Sequence, residues 1–345
     1  MKLKALHLGK AISAALFVLL LSVAGMKNAL AQTQVATLQH GETITAYYGS
    51  GALSSAYSAA SDGDVITLSG GTFTGCNFDK SLTIRGAGAV ADYETGTGPT
   101  IVTGDYSIGY NYSITGIHFE GIYFTGSMQI QKQTDPTFIR CNFTKITCGG
   151  NYTDNSGAHF INCVIKELEA ARFHNTTFTN CVIDYFRYFT GGTYTFDHCQ
   201  VTKGCGQDFN GVVAVNSIFV LKNGTQPAGS NCIFNNCIGI CELSSYNQFG
   251  TATLQNCVSY TTDNGANPYE QVYEEYRGGD FNFEGTYTLL PNLNFPTTDG
   301  TEVGIYGGSV PYTARPSYQM LRTINAAQQS DTQGKLNVEI EVINQ

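Results

Sequence analysis

The sequence predicts an all-β solenoid: a single-stranded parallel β-helix with coils of about 18–22 residues and a short capping helix at its N-terminal end. Three observations predict it. First, the stretch from Phe160 to Thr202 falls on itself when shifted by eighteen residues. Phe160, Phe178 and Phe196 align, as do Asn162, Asn180 and His198, and Cys163, Cys181 and Cys199, with Ile165, Ile183 and Val201 two places on. The same word recurs upstream as Phe138, Arg140, Cys141 and Phe143. Downstream it recurs as Asn216, Ser217 and Phe219, then Phe234, Asn236 and Cys237, then Leu254, Asn256 and Cys257. Second, each unit consists of short runs rich in Phe, Ile, Val and Thr, broken by Asn, Gly and Asp, and too short for helices. Third, Phe and Cys lie three apart, so unbroken alternation would send them to opposite faces. One bend at the intervening Asn returns both to the inside. Coils stacked in parallel lie about 4.8 Å apart, which places Phe on Phe, Cys on Cys and Asn on Asn. The stacked amides are then expected to bond to one another along the axis.

The elements follow in chain order. Lys2, Lys4 and Lys10 precede an apolar run from Ala11 to Ala24, and Ala29-Leu30-Ala31 precedes Gln32. This is the pattern of a signal peptide (residues 1–31) cleaved after Ala31. Its apolar core is short for a bilayer span, and no Cys follows the cleavage point. The expected product is therefore exported, to the periplasm, cell surface or medium, without membrane insertion after cleavage. A linker leads to residues 51–60, where Leu53, Ala56, Tyr57 and Ala60 recur at helical spacing. This helix would close the first coil, whose core and sheet edge would otherwise be bare. Residues 65–68 and 81–84 read as the first strands. Residues 89–112, with Gly96, Gly98, Pro99 and Gly104, read as a longer loop, and 261–280 as an insertion carrying a short helix. The β-helix is expected over about residues 50–300. Residues 301–345 would form a closing segment and a terminal strand, in which Leu336, Val338, Ile340 and Val342 alternate; that strand must pair with the last coil or with a partner.

The run from Leu53 through Ala59-Ala60, Gly63-Asp64, Ile66, Leu68 and Gly70-Gly71-Thr72 to Leu82-Thr83-Ile84 resembles the opening of pectate-lyase-like right-handed parallel β-helix proteins. The stretch Asp299-Gly300-Thr301-Glu302-Val303-Gly304-Ile305-Tyr306-Gly307-Gly308, with Pro311, resembles the closing segment of exported β-helix proteins of Bacteroidetes. The resemblance implies a right-handed coil and a groove along one parallel sheet. It does not imply an activity, because lyases, hydrolases and adhesins share the fold.

The net charge of −9 leaves no basic stripe to neutralise phosphates, which excludes nucleic acid as the expected partner. Eleven cysteines in an exported chain would ordinarily mean disulfides. Here six form the column Cys141, Cys163, Cys181, Cys199, Cys237 and Cys257, with Gly121 or Ser217 where it skips Cys. Small size is the shared property. Coil spacing exceeds the roughly 3.5–4.5 Å Cβ separation of a disulfide, and no CxxC pair suggests a metal. The column is expected to hold buried free thiols, and neither metal nor cofactor is implied. Cys76, Cys148, Cys205, Cys232 and Cys241 lie off the column.

Polygalacturonase-like members of the fold carry clustered Asp with Gly-His-Gly and Arg-Ile-Lys words, which are absent here. Lyase-like members need a basic side chain beside a uronate and a cationic group for the developing charge. The eighteen-residue register places Lys166 over Asp184 and Glu169 over Arg187, pairs worth roughly 0.2–1 kcal/mol each to the sheet surface. Arg172 and His174 flank an inward Phe173, and with Asp208 and Asn210 two coils on they form a polar outward patch. Tyr269, Tyr273 and Tyr276 make a second candidate surface for sugar rings, or else the packed face of a helix. His118, His159 and His198 read as structural. No catalytic residue is recognisable. The expected function is adhesin-like binding of a polysaccharide, cell-surface glycan or other extracellular polymer. A polysaccharide lyase or glycoside hydrolase with an unrecognised site is the alternative, and a purely structural surface protein a third.

Overall fold

The computed structural model describes residues 34–92, 96–148, 155–170, 173–187, 189, 192–205, 210–221, 229, 231–241, 249–261, 267–274, 283, 286–313, 320–326 and 338–343. The expected signal peptide lies outside them. The described chain is a parallel β-helix with three sheets running along it: a twelve-stranded first sheet, an eleven-stranded second sheet and a four-stranded third sheet. One coil shows the plan. Phe173–His174 belongs to the third sheet, Thr176–Thr179 to the first and Val182–Arg187 to the second. The register is the one the repeat predicts: Phe160 pairs with Phe178 and Phe178 with Phe196, and Ile165 with Ile183 and Ile183 with Val201.

The bend between the first and second sheets is a left-handed backbone step. Arg140, Asn162, Asn180, His198, Asn216, Asn236 and Asn256 all have φ between 49° and 53°. Asn is among the few residues that visit this region readily, so the recurring Asn has a backbone cause. Gly121 (φ 64°) belongs to this corner column and not, as the eighteen-residue reading has it, to the cysteine column. Glu120 pairs with Ile139, which sets Gly121 beside Arg140 and Ile122 beside Cys141. The corner amides do not form a ladder among themselves. Each described contact runs outward to residues 296–311, as detailed below.

Inside, the phenylalanines stack. Ring centroids lie 4.8 Å apart for Phe138–Phe160, 5.0 Å for Phe160–Phe178 and 4.9 Å for Phe178–Phe196. The cysteines whose side chains are described, which leave out Cys205, are free thiols. The column does more than fill space. Cys163, Cys181 and Cys199 donate Sγ–H toward the carbonyls of Phe138, Phe160 and Phe178 in the preceding coil at 3.2–3.3 Å. Where Ser217 replaces Cys, its hydroxyl donates to the Val215 carbonyl at 2.8 Å and accepts the Cys199 N–H at 2.9 Å. From Cys141 onward the described column holds small side chains with a donor, while Ile122 fills the place one coil earlier. Off the column, Cys148, Cys232 and Cys241 are buried and Cys76 is half-buried.

The N-terminal cap is larger than a helix. Residues Val35–His40 and Thr43–Tyr48 form an antiparallel hairpin where a linker is expected, and Val35–His40 pairs antiparallel with Val65–Leu68. Ala36 and Leu38 are its buried residues, with Tyr47 half-buried against the core, too little alternation to stand out. The helix Ala52–Ala59 buries Ala52, Leu53, Ala56 and Tyr57. Lys80 Nζ donates to the carbonyls of Tyr57 and Ala60, both at 2.7 Å, closing the helix C-terminus. Within the expected loop of residues 89–112, Thr100–Thr103 and Tyr106–Ile108 are strands of the second sheet. At the other end, Val338–Ile343 pairs antiparallel with Met320–Ala326. The partner is thus a neighbouring strand of the same chain, while Leu336 lies outside the described residues.

Candidate functional site

A β-helix offers its sheets as long lateral faces, and here the chain itself decides which face is open. The outer face of the second sheet is covered. Val164, Val182, Ile218, Val220, Ile238 and Ile240 pack against Val272, Tyr273, Tyr287, Leu289, Val303 and Ile305 from the C-terminal part of the chain. The covering segment also climbs the corner column. Asn236 Nδ2 donates to Pro296 O at 2.8 Å, and Asn216 Nδ2 to Thr298 Oγ1 at 2.7 Å. Asn180 Nδ2 reaches Ile305 O and Gly307 O, both at 2.8 Å, and Asn162 Nδ2 reaches Pro311 O at 3.4 Å. His198, buried in the same column, has Nδ1 2.8 Å from Asp197 Oδ1 and Nε2 3.2 Å from Thr301 Oγ1. Residues 296–311 are a strap laid antiparallel to the direction of coil growth.

Among the described residues, the outer face of the first sheet stays at least partly exposed. Two outward columns flank the inward phenylalanines. One runs Thr83, His118, Thr137, His159, Thr177, Thr195, and the other Arg85, Glu120, Ile139, Ile161, Thr179, Asp197. Four side chains gather near its N-terminal end. Glu120, only 6% exposed, has Oε1 3.3 Å from Arg140 Nη1 and Oε2 3.7 Å from Arg85 Nε, with His118 Nε2 3.9 Å away. A carboxylate buried this far needs compensating charge, and two guanidiniums overcompensate it. Arg85 is 47% exposed, so the surplus positive charge faces solvent on the open sheet. A guanidinium so placed can take a carboxylate or sulfate through two parallel N–H donors. The repeat does not reveal this cluster. Arg85 and Glu120 are neighbours across one coil, yet 35 residues separate them in sequence, so the eighteen-residue shift misses the pair. The identity of the flanking strands, Thr83–Arg85 and His118–Glu120, is the one signal that could have found it.

Other surface charges are absorbed locally. Lys145 and Arg187 each pair with both Glu167 and Glu169 on the second sheet, which includes the expected Glu169–Arg187 neighbours. The expected Lys166–Asp184 pair is not made. Asp184 is buried and accepts from Thr202 Oγ1 at 2.6 Å and Lys203 Nζ at 2.8 Å, because a backbone irregularity next to it in the pairing with Gln200–Cys205 brings Lys203 alongside.

The candidates read from the sequence are placed as follows. Phe173 is buried and His174 lies outward in the third sheet, in the column Thr115, Thr134, Ser156. Asn210 is half-buried. Arg172 and Asp208 lie outside the described residues, as does Tyr276. Tyr269 opens a short 3-10 helix, Tyr269–Gln271, and is half-buried on the second-sheet cover. Tyr273 is not at the surface: it is 2% exposed and its hydroxyl donates to Gln200 Oε1 at 2.6 Å. It fastens the cover to the solenoid, the packing alternative for that tyrosine. His159 bonds Thr177 Oγ1 at 2.8 Å, and His198 fills the corner as expected. Among the described residues no group of three or more His, Cys, Asp or Glu is gathered as for a metal ion.

No family model matches the chain, and neither a curated protein nor a solved structure matches it. What it shares with pectate-lyase-like proteins is the parallel β-helix itself.

Proposed function

We propose that this is an exported or cell-surface protein that binds an acidic polysaccharide, or another anionic extracellular polymer, along the outer face of its first sheet. The observation that carries the reading is the cluster Arg85, His118, Glu120 and Arg140, whose excess positive charge lies on the first sheet, away from the second-sheet face that the described C-terminal residues cover. In a chain of net charge −9, a local cationic spot can hold an anionic group while the surrounding field rejects non-specific polyanions. The column of Thr137, His159 and Thr177 continues the face with hydroxyl and imidazole groups at the coil repeat of about 4.8 Å, so a linear polymer lying along the axis meets a polar group at each step. Export, implied by residues 1–31, places the chain where such polymers are found.

Screening the purified chain on a glycan array, followed by an activity assay on every hit, tests the reading. Retention of carboxylated or sulfated glycans without release of unsaturated or reducing ends is the expected result. Release of such ends would replace binding by lyase or hydrolase chemistry, and retention of neutral glycans alone would remove the cationic cluster from the account.

A further inference from the structure

The two ends of the solenoid are finished differently. At the N-terminal end the helix Ala52–Ala59 closes the tube, with Leu53 and Ala56 fully buried. At the C-terminal end the first sheet stops at Thr253–Gln255 and the second at Val258–Thr261. Leu254 occupies the inward phenylalanine column, paired with Phe234, yet it is 47% exposed where Phe234 is 1% exposed. Cys257, the last of the thiol column, is likewise only half-buried while Cys237 is buried. A solenoid end with its core column open to water requires a cap. Thr253 N–H donates back to Cys232 O and Gln255 O accepts from Asn236 N, so the intervening Leu254 directs its peptide groups away from the sheet.

We propose that the cap is a second copy of this chain, joined end to end at the last coil about a two-fold axis. Two observations favour that occupant. Residues 249–261 carry no charged side chain and no proline, so the usual devices that keep sheet edges apart are missing, and self-contact incurs no like-charge repulsion at the edge despite the net charge of −9. A two-fold operation sets Thr253–Gln255 antiparallel to its own counterpart, a pairing the two edges can satisfy reciprocally. Because the opposite end is closed over its core by the helix, the contact makes a closed pair and does not propagate head to tail.

Sedimentation equilibrium of the full chain, with Leu254→Lys and Gln255→Lys variants, tests this. Gln255 lies on the exposed outer column, so its substitution leaves the core alone if Leu254→Lys should fail to fold. The wild type is expected at twice the single-chain mass, and each folded variant is expected to dissociate with a Kd at least about tenfold higher, with unchanged far-ultraviolet circular dichroism. A wild type that stays monomeric at every accessible concentration overturns the proposal. So does a dimer indifferent to Gln255→Lys, or assembly beyond a pair.

Discussion

Asn180 carries two duties at once: its backbone turns the corner at φ 50°, and its amide holds two carbonyls of the strap. Substitution separates them. Asn180→Gly keeps the left-handed turn and loses the hydrogen bonds, which should cost about 1–3 kcal/mol. Asn180→Ala loses both and adds the left-handed penalty of roughly 1 kcal/mol for a residue with Cβ. Denaturant melts should therefore rank wild type above Gly above Ala, and an Ala variant as stable as Gly would contradict the corner assignment. The thiol column is tested separately. Denatured chain treated with a thiol reagent without prior reduction should titrate with the column cysteines free, and disulfides between consecutive column cysteines would refute the stacked arrangement. The identity of the corner and the thiol column is legible in the sequence because both repeat. Their partners are not: an amide ladder and a strap satisfy the same asparagines, and only the position of residues 296–311 decides between them.

Two elements bind the solenoid's margins, and both depend on carboxylates. In the N-terminal cap, Asp64 accepts from Ser61 N–H at 2.7 Å and sits 2.8 Å from His40 Nδ1; the Ser61 bond first, and His40 with it, hold Asp64 below the usual carboxylate range. In the strap, burial pushes Asp299 up, but the Thr301 N–H and hydroxyl, then His198, outweigh it and leave Asp299 lowered. A carboxylate lowered by folding stabilises the fold above its unfolded value, near 4, and that contribution disappears as pH falls through the folded value. Hydrogen exchange, read as protection factors, should show residues 296–311 and the hairpin 35–48 loosening below about pH 4 before the central coils do. Asp299→Asn should flatten this response in the strap alone, and a strap that loosens instead on raising the pH would reverse the sign and contradict the pairing. In the core between these margins, Phe178→Ala should cost roughly 3–5 kcal/mol, because Phe160 and Phe196 stack on its two faces and cannot close the gap without shifting whole coils. The central coils were readable from the sequence for the same reason that they are uniform. The hairpin, the strands at 100–108 and the course of the closing segment along the corner column were not, since each occurs once and is fixed by what it covers.

At the scale of the molecule, the fold supplies three lateral faces and the chain removes one of them. The second sheet is roofed by Val272, Tyr273, Tyr287, Leu289, Val303 and Ile305, the third is built of two-residue strands, and the first runs the full length with a cationic cluster near its beginning. The pairing of Thr177 with Thr195 on this face follows the eighteen-residue shift, but the partnership of Arg85 with Glu120 could not be read, since the long coil between them breaks the period. The most direct test is calorimetric titration of an acidic polysaccharide into wild type, Arg85→Glu and His174→Ala. Arg85→Glu sets a second carboxylate beside the buried Glu120, so it should also lower stability, and affinities are compared at a temperature where the melting curves show every variant folded. Binding to the first sheet predicts at least about tenfold weaker affinity for Arg85→Glu, little change for His174→Ala, and weakening of the wild type with added salt. Equal affinity in Arg85→Glu, or loss confined to His174→Ala on the third sheet, would contradict the account.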